Sequence, residues 1–191
     1  MSIATKRGDS GKTDLIGPVR VSKSELRVEC YGTVDELNAQ MGFARSICDD
    51  AEINGLLKSI QKELFAVGSA IATPPESKKP ATVIAAAMVE RLDGEVHRLE
   101  AIPGIVGDWS LPGEMPAASA LDVARTVCRR AERLLVRLDE NGGAITPTTM
   151  AYLNRLSDLL WLCGRVLEVR AGVDAALRPK EERGKRWSKA W

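Results

Sequence analysis

Five long charged side chains fall within nine consecutive positions of the segment Arg125-Thr126-Val127-Cys128-Arg129-Arg130-Ala131-Glu132-Arg133. On a helix, at about 100° per residue, they separate into stripes. Ala124, Val127, Cys128, Ala131, Leu135 and Leu138 form a core stripe. Arg125, Arg129 and Glu132 lie together roughly a quarter-turn away, while Arg130, Arg133 and Arg137 lie farther round. Arginines one turn apart repel unless an anion lies between or beside them. Two readings are open for the nearer stripe. It is a solvated charged face, or it is a phosphate clamp, in which permanently charged guanidinium forks grip phosphate oxygens in pairs.

A later segment carries Leu153, Leu156, Leu160 and Leu167 on one stripe and Asn154, Asp158 and Arg165 on another. Asn and Asp are weak helix formers, so their presence points to a hydrogen-bonding task. That task is either ligand binding or a polar network locking this helix to the arginine-rich one. Asp35 and Glu36 are read as just inside the start of a first helix, where its dipole favours carboxylates; Asp35 is also a candidate partner for an arginine of the fourth helix. The stretch Thr5-Lys6-Arg7-Gly8-Asp9-Ser10-Gly11-Lys12-Thr13 contains G-x-x-G-K-T. It lacks the first-glycine spacing and the preceding strand of a P-loop. Its glycines, lysines and hydroxyls can still present N–H groups and cations to a polyphosphate, and a flexible polar terminus is the alternative.

Five helices must position these groups. Val34, Leu37, Met41, Ala44 and Ile47 predict a first helix from about Arg27 to Asp49-Asp50, and Ile53 to Ile71 a second, stopped by Pro74-Pro75. Val83 to Ala101 reads as a third, closed by Pro103-Gly104. Pro116 opens a fourth that reaches about Asp139 and ends at Asn141-Gly142-Gly143. Thr146-Pro147 caps a fifth, which Gly172 stops after Ala171. No alternating strand pattern competes, and there is no internal repeat. The expectation is an all-α, five-helix up-and-down bundle over residues 25–178, preceded by a loop segment, 1–24, and followed by a basic, frayed tail, 179–191.

The 191 residues, 45% apolar and 28% charged, suit one domain with a sizeable core, and with only 4% aromatics that core is aliphatic. A net charge of +1 supplies no global field toward nucleic acid or anionic lipid. Cys30, Cys48, Cys128 and Cys163 are unevenly spaced beside a single histidine, His97, which argues against zinc and for buried free thiols in a reducing compartment. No signal core or membrane-length apolar run is present, so the expected address is cytoplasmic. His97 is assigned no role.

The chain resembles the PduO-type family of ATP:cob(I)alamin adenosyltransferases. Four blocks carry the likeness: T-K-R-G-D-S-G-K-T-D-L from Thr5, R-V-S-K-S-E-L-R-V-E-C-Y-G-T-V-D-E-L-N from Arg20, A-R-T-V-C-R-R-A-E-R from Ala124, and Y-L-N-R-L-S-D from Tyr152. W-S-L-P-G, from Trp109, is a weaker fifth. The resemblance implies a five-helix bundle assembled as a homotrimer, with ATP and a corrinoid such as cobalamin bound between subunits. It implies that Thr5, Lys6, Gly8, Asp9, Gly11 and Thr13 fold over the triphosphate, that Lys23 adds a phosphate contact, and that Arg129 holds phosphate. Glu132 and Asn154 would then attend Mg2+ or the nucleoside, with Glu132 as the metal ligand. Arg125 would pair with Asp35 across the subunit boundary.

Trp109 stands where the family commonly has Phe, and the resemblance implies that it fills the lower face of the corrin and excludes the axial base. Glu114-Met115 also departs from the family's small residues after L-P-G. The implied reaction is attack of cobalt(I) on the 5′ carbon of ATP, giving adenosylcobalamin and triphosphate. A reductase and an adenosylcobalamin-dependent enzyme are the implied partners. A non-catalytic carrier or sensor of adenosylcobalamin on the same scaffold is the alternative, although a carrier has no need to grip triphosphate.

Overall fold

A computed structural model describes residues 4–183. Five helices, α1 (Leu26–Ser46), α2 (Ala51–Ile71), α3 (Ala86–Glu100), α4 (Pro116–Glu140) and α5 (Pro147–Ala171), make an all-α bundle. A small antiparallel hairpin, β1 (Lys12–Asp14) and β2 (Arg20–Ser22), precedes it, with Thr13 opposite Val21.

The helix ends follow local chemistry. Asp50 caps α2 by accepting from the Ile53 N–H, and Thr146 caps α5 by accepting from Thr149. Pro116 and Pro147 occupy first-turn positions where a missing N–H costs nothing. Gly172 ends α5 in the left-handed region, at φ 67°. Gly143 is required by close approach rather than by φ: a Cβ there would stand 2.5 Å from Leu138 Cγ.

Around the bundle the order is α2, α1, α4, α5, α3, with α3 closing back on α2 through Arg91–Glu63 and Arg98–Glu52. Asn38–Gln61 and Arg45–Asn54 set α1 antiparallel to α2, and Glu132–Asn154 and Asp122–Arg165 set α4 antiparallel to α5. The helix-four stripe and Leu153, Leu156, Leu160 and Leu167 are buried as their spacing requires. Each such leucine contributes about 1.5–3 kcal/mol. All four cysteines are free and buried. Burial pushes the Cys30 thiol up to about 11 and the Cys163 thiol up to about 12.

Several expectations are corrected. Part of the 1–24 segment is β-structure rather than loop, because Gly17, at φ 79°, turns the chain so that β2 can pair with β1. The first helix stops at Ser46, and Ile47 lies outside it, partly exposed. The third begins at Ala86, leaving Val83 in the preceding exposed loop. Asp35 and Glu36 lie well inside α1, beyond reach of its dipole end, and Glu36 is held by an ion pair with Arg130 of α4. The tail is anchored through Arg183. A 3₁₀ turn spans Lys180–Glu182, and the Arg183 guanidinium grips Asp174 at 2.8 and 2.9 Å. The remaining tail residues, 184–191, lie outside the described residues.

Candidate functional site

The groups singled out in the sequence meet along a polar seam between α4 and α5. Arg125, Arg129 and Glu132 are all half-buried, whereas Arg130, Arg133 and Arg137 are exposed. The solvated-face reading therefore fits the second set and not the first. At the middle of the seam Asn154 Nδ2 donates to Glu132 Oε1 at 2.9 Å. The Asp158 carboxyl, on the next turn of α5, is pushed up by burial, against the pull of Arg155 and Arg129.

Arg129 stands apart from the other semi-buried cations. Among the described residues its guanidinium makes no hydrogen bond or ion pair. A half-buried, permanently charged fork with five donors and no internal acceptor is suited to an anionic ligand with several oxygens.

Toward the amino-terminal end of α4 the seam's charges are paired with one another, although the buried Arg165 Nη1 has no hydrogen-bond partner among the described residues. Asp122 Oδ1 accepts from Arg125 Nε at 3.0 Å, and Asp122 Oδ2 accepts from Arg165 Nη2 at 3.2 Å. Arg165 also donates from Nη2 to Glu168 Oε1 at 2.8 Å, and its guanidinium lies 5.4 Å from the Trp161 ring centroid. Burial raises the Glu168 carboxyl despite the opposing pull of Arg165. Ser110 Oγ, from the loop before α4, donates to Glu168 Oε2 at 3.3 Å and so ties that loop to the seam.

The loop holds Trp109, half-buried, between two anchored neighbours. Asp108 Oδ1 accepts from the Trp109 N–H at 2.8 Å, and Asp108 Oδ2 accepts from the Arg178 N–H at 2.8 Å. The Arg178 guanidinium completes the contact to Oδ1, with Nη2 at 2.6 Å and Nε at 2.8 Å. This pairing holds the Asp108 carboxyl below the usual carboxylate range.

The amino-terminal strap folds onto its own hairpin. Arg7 and Arg20 both reach Asp14, at 2.8 and 3.1 Å. Lys6 takes φ 58° and Gly11 φ 74°, and the Lys23 N–H donates to the Gly11 carbonyl at 2.9 Å. Gly8 lies beneath the Lys23 side chain, whose Nζ a Cβ at that position would approach to 2.9 Å and so displace. Thr5, Lys6, Asp9, Gly11 and Lys23 are exposed, and Thr13 and Gly8 are half-buried. The strap is rooted on α2, where the Ile16 N–H donates to the Ala72 carbonyl at 3.0 Å.

Arg129, Glu132 and Asn154 are thus gathered on one seam, and Lys23 with Gly8 and Gly11 in one strap. Asp35 and Arg125 are not joined within the chain: Arg125 is held by Asp122, and Asp35 is exposed on α1. Asp35 lines two shallow grooves, of about 410 and 340 Å³, on the α1–α2 face together with the exposed Phe65. Sequence reasoning missed Asp122, Glu168, Asp108 and Arg178. The three-residue spacings Asp122–Arg125 and Arg165–Glu168 were available as helix-pair signals. Nothing in the sequence links Asp108 to Arg178.

A family model described as cobalamin adenosyltransferase matches residues 3–167. The corrinoid adenosyltransferase of Mycobacterium tuberculosis is 38% identical over 168 residues, covering 86% of this chain and 87% of that protein. The corrinoid adenosyltransferase PduO of Salmonella typhimurium is 39% identical over 166 residues, covering 86% of this chain; the match spans about half the length of that relative, 49%. The fold is similar to that of a Phe-to-Ala variant PduO-type ATP:corrinoid adenosyltransferase from Lactobacillus reuteri, complexed with cobalamin and ATP. That similarity has a TM-score of 0.85 at 32% identity and covers 93% of this chain and 99% of the other. An Arg-to-Lys variant of the PduO-type enzyme from the same organism, complexed with ATP, gives a TM-score of 0.84 at 32% identity, covering 93% and 100%. With a family model matching residues 3–167 and relatives 38–39% identical over most of its length, this chain belongs to the cobalamin adenosyltransferase family.

Proposed function

We propose that the chain transfers the 5′-deoxyadenosyl group of ATP to the cobalt(I) of a corrinoid. The observation that carries this reading is Arg129: half-buried, charged, without a hydrogen bond or ion pair from its guanidinium among the described residues, and one turn from the Glu132–Asn154 pair. Arg129 receives the triphosphate while the strap residues Thr5, Lys6, Gly8, Asp9, Gly11 and Thr13, with Lys23, close over it. The cobalt lone pair forms the Co–C bond as the C5′–O bond breaks, and triphosphate departs with that electron pair. No general base is needed. The protein's task is to orient ATP and to stabilise negative charge growing on the leaving group.

Glu132 suits a magnesium ion carried with the nucleotide. Its Oε1 is engaged by Asn154, and no cation is paired with it among the described residues. No group of three or more ligating side chains is present among those residues, so the remaining ligands would be phosphate oxygens and water, as is usual for Mg2+. Bound there, the ion would offset charge on the triphosphate.

The working assembly is a homotrimer with sites between subunits. Supporting this, Asp35 is exposed and unpaired within the described chain, on a grooved face that also leaves Phe65 72% exposed. A neighbouring copy would bring its Arg125, braced by Asp122, to Asp35. Trp109 serves as the wedge under the corrin that keeps the axial base away and so eases reduction to cobalt(I). A reductase supplies the electron and an adenosylcobalamin-dependent enzyme takes the product. Four buried free thiols suit a cytoplasmic setting. No helix among the described residues is long and apolar enough to cross a membrane.

The test is incubation with ATP, Mg2+, a strong reductant and hydroxocobalamin, following the corrinoid spectrum and triphosphate. Adenosylcobalamin appearing with one triphosphate per turnover is the expected result. Binding of adenosylcobalamin without consumption of ATP would replace the enzyme by a carrier.

A further inference from the structure

The loop carrying Trp109 is poorly equipped to hold itself in place. It contains Gly104 and Gly113 at φ 88° and 137°, and much of it is exposed. Ile105 anchors its start in the core and Ser110 ties it to Glu168 of α5, while the stretch around Trp109 is paired along its backbone with the segment following α5. The Leu111 N–H donates to the Ala175 carbonyl at 2.7 Å, and the Leu177 N–H donates to the Trp109 carbonyl at 2.7 Å, flanking an antiparallel bridge between Ser110 and Ala176. Immediately beyond, Asp108 receives both the backbone and the guanidinium of Arg178.

This contact is built as a lock. The Asp108 side chain is 2% exposed, yet its two oxygens are served by the Trp109 N–H, the Arg178 N–H and two guanidinium nitrogens of Arg178. A buried carboxylate is tolerated only when its partners are complete, so the pair tolerates one register of loop against tail. Register controls facing. Ser110 turns inward to Glu168, so Trp109 and Leu111 turn to the other face, where Leu177 stands opposite Trp109. Leu111 and Leu177 are each 55% exposed, which leaves an apolar edge around the tryptophan. A slip of one residue would exchange Trp109 for Ser110 on that edge.

We infer that the Asp108–Arg178 pair is a latch through which the segment after α5 fixes Trp109, making Asp108 and Arg178 positioning residues for emptying the lower face of the corrin. The inference rests on the reading of Trp109 as the wedge. It assigns a role in the reaction to residues of two loops that contribute nothing to the nucleotide end of the seam.

The test compares Asp108→Asn, Arg178→Ala and Trp109→Ala with the unaltered protein, starting either from cobalt(II) corrinoid with a reductant or from pre-reduced cobalt(I). The absorption and electron paramagnetic resonance of cobalt(II) corrinoid bound with ATP report the fraction whose axial base has left. The latch variants are expected to lower that fraction and to slow the cobalt(II) route by about 10- to 10²-fold, as a small misplacement near the reacting centre does. The cobalt(I) route should change far less. Arg178→Lys, which keeps the charge but not the fork, should recover part of the loss. If the latch variants behave normally while Trp109→Ala is impaired, the latch is wrong and the wedge stands. If Trp109→Ala leaves the cobalt(II) signal unaltered, the wedge fails and the latch with it. An equal loss on both routes, as general damage to the fold would give, also overturns the latch.

Discussion

The two halves of the α4–α5 seam are built on opposite plans. At the Asp122 end, charges are buried and paired with one another: Asp122 with Arg125 and Arg165, and Arg165 with Glu168, continuing through Ser110 to the Trp109 loop. At the Arg129 end, Arg129 and Glu132 are half-buried and Asn154 is exposed; Glu132 is tied to Asn154, and Arg129 has no ion pair or hydrogen bond from its guanidinium among the described residues. Charges paired with one another hold a shape, while a cation without an ion-pair partner keeps its charge available to something that arrives. The contrast separates paired from unpaired charge within one pair of helices, and the proposed nucleotide site falls on the unpaired side.

The largest expected effect strikes the paired half. Arg165→Leu leaves Asp122 and Glu168 buried with fewer partners and should lower unfolding free energy by about 3–5 kcal/mol, read by chemical denaturation. Loss of activity with unchanged stability would place Arg165 in the binding half instead. Arg129→Ala should do the reverse, reducing kcat by about 10²–10³-fold while the melting temperature stays put. Near-normal turnover would remove the clamp from the comparison.

A smaller effect probes the boundary between copies. Asp35→Asn and Arg125→Lys, alone and combined, should be non-additive in kcat/KM by at least about twofold if the two groups meet in the assembly. Strict additivity would deny that Arg125 and Asp35 meet.

The smallest effect concerns pH. The Asp108 carboxyl is held low by Arg178, so its contribution to stability is present above the unfolded value of about 4 and is lost as pH falls through the folded one. Asp108→Asn should therefore melt below the parent at neutral pH, and the two curves should converge in acid. A difference that persists at pH 2 would mean that carboxylate charge is not what the contact needs.

Most of the bundle was legible because its signals are local. Pro116, Thr146-Pro147 and Gly172 mark ends within one turn, and the leucine spacing on α5 names its buried face without reference to any other helix. The nearer arginine stripe was legible for the same reason, although its half-burial, which sets it apart from Arg130, Arg133 and Arg137, depends on how α5 packs against α4. The hairpin was not, since strands of three residues are too short to show alternation. Nor was the Asp108–Arg178 pair, since 70 residues separate the two and neither lies in a helix whose periodicity could mark it. The surroundings of Asp35 are set by the α1–α2 groove, which depends on the packing of two helices and leaves no local mark in the sequence.

Arg27 is fully enclosed at the root of the strap, where its guanidinium donates to the carbonyls of Ile71, at 2.6 Å, and Gly143, at 2.7 Å. The chain ends of α2 and α4 are thereby clasped by the first turn of α1, and the neighbouring Ile16 is pinned to Ala72. A trypsin digest should register this division. Cleavage is expected after the exposed Lys6, Arg7 and Lys12, whereas Arg27 should resist until the whole bundle opens, so that nicking trims the strap and spares its foundation.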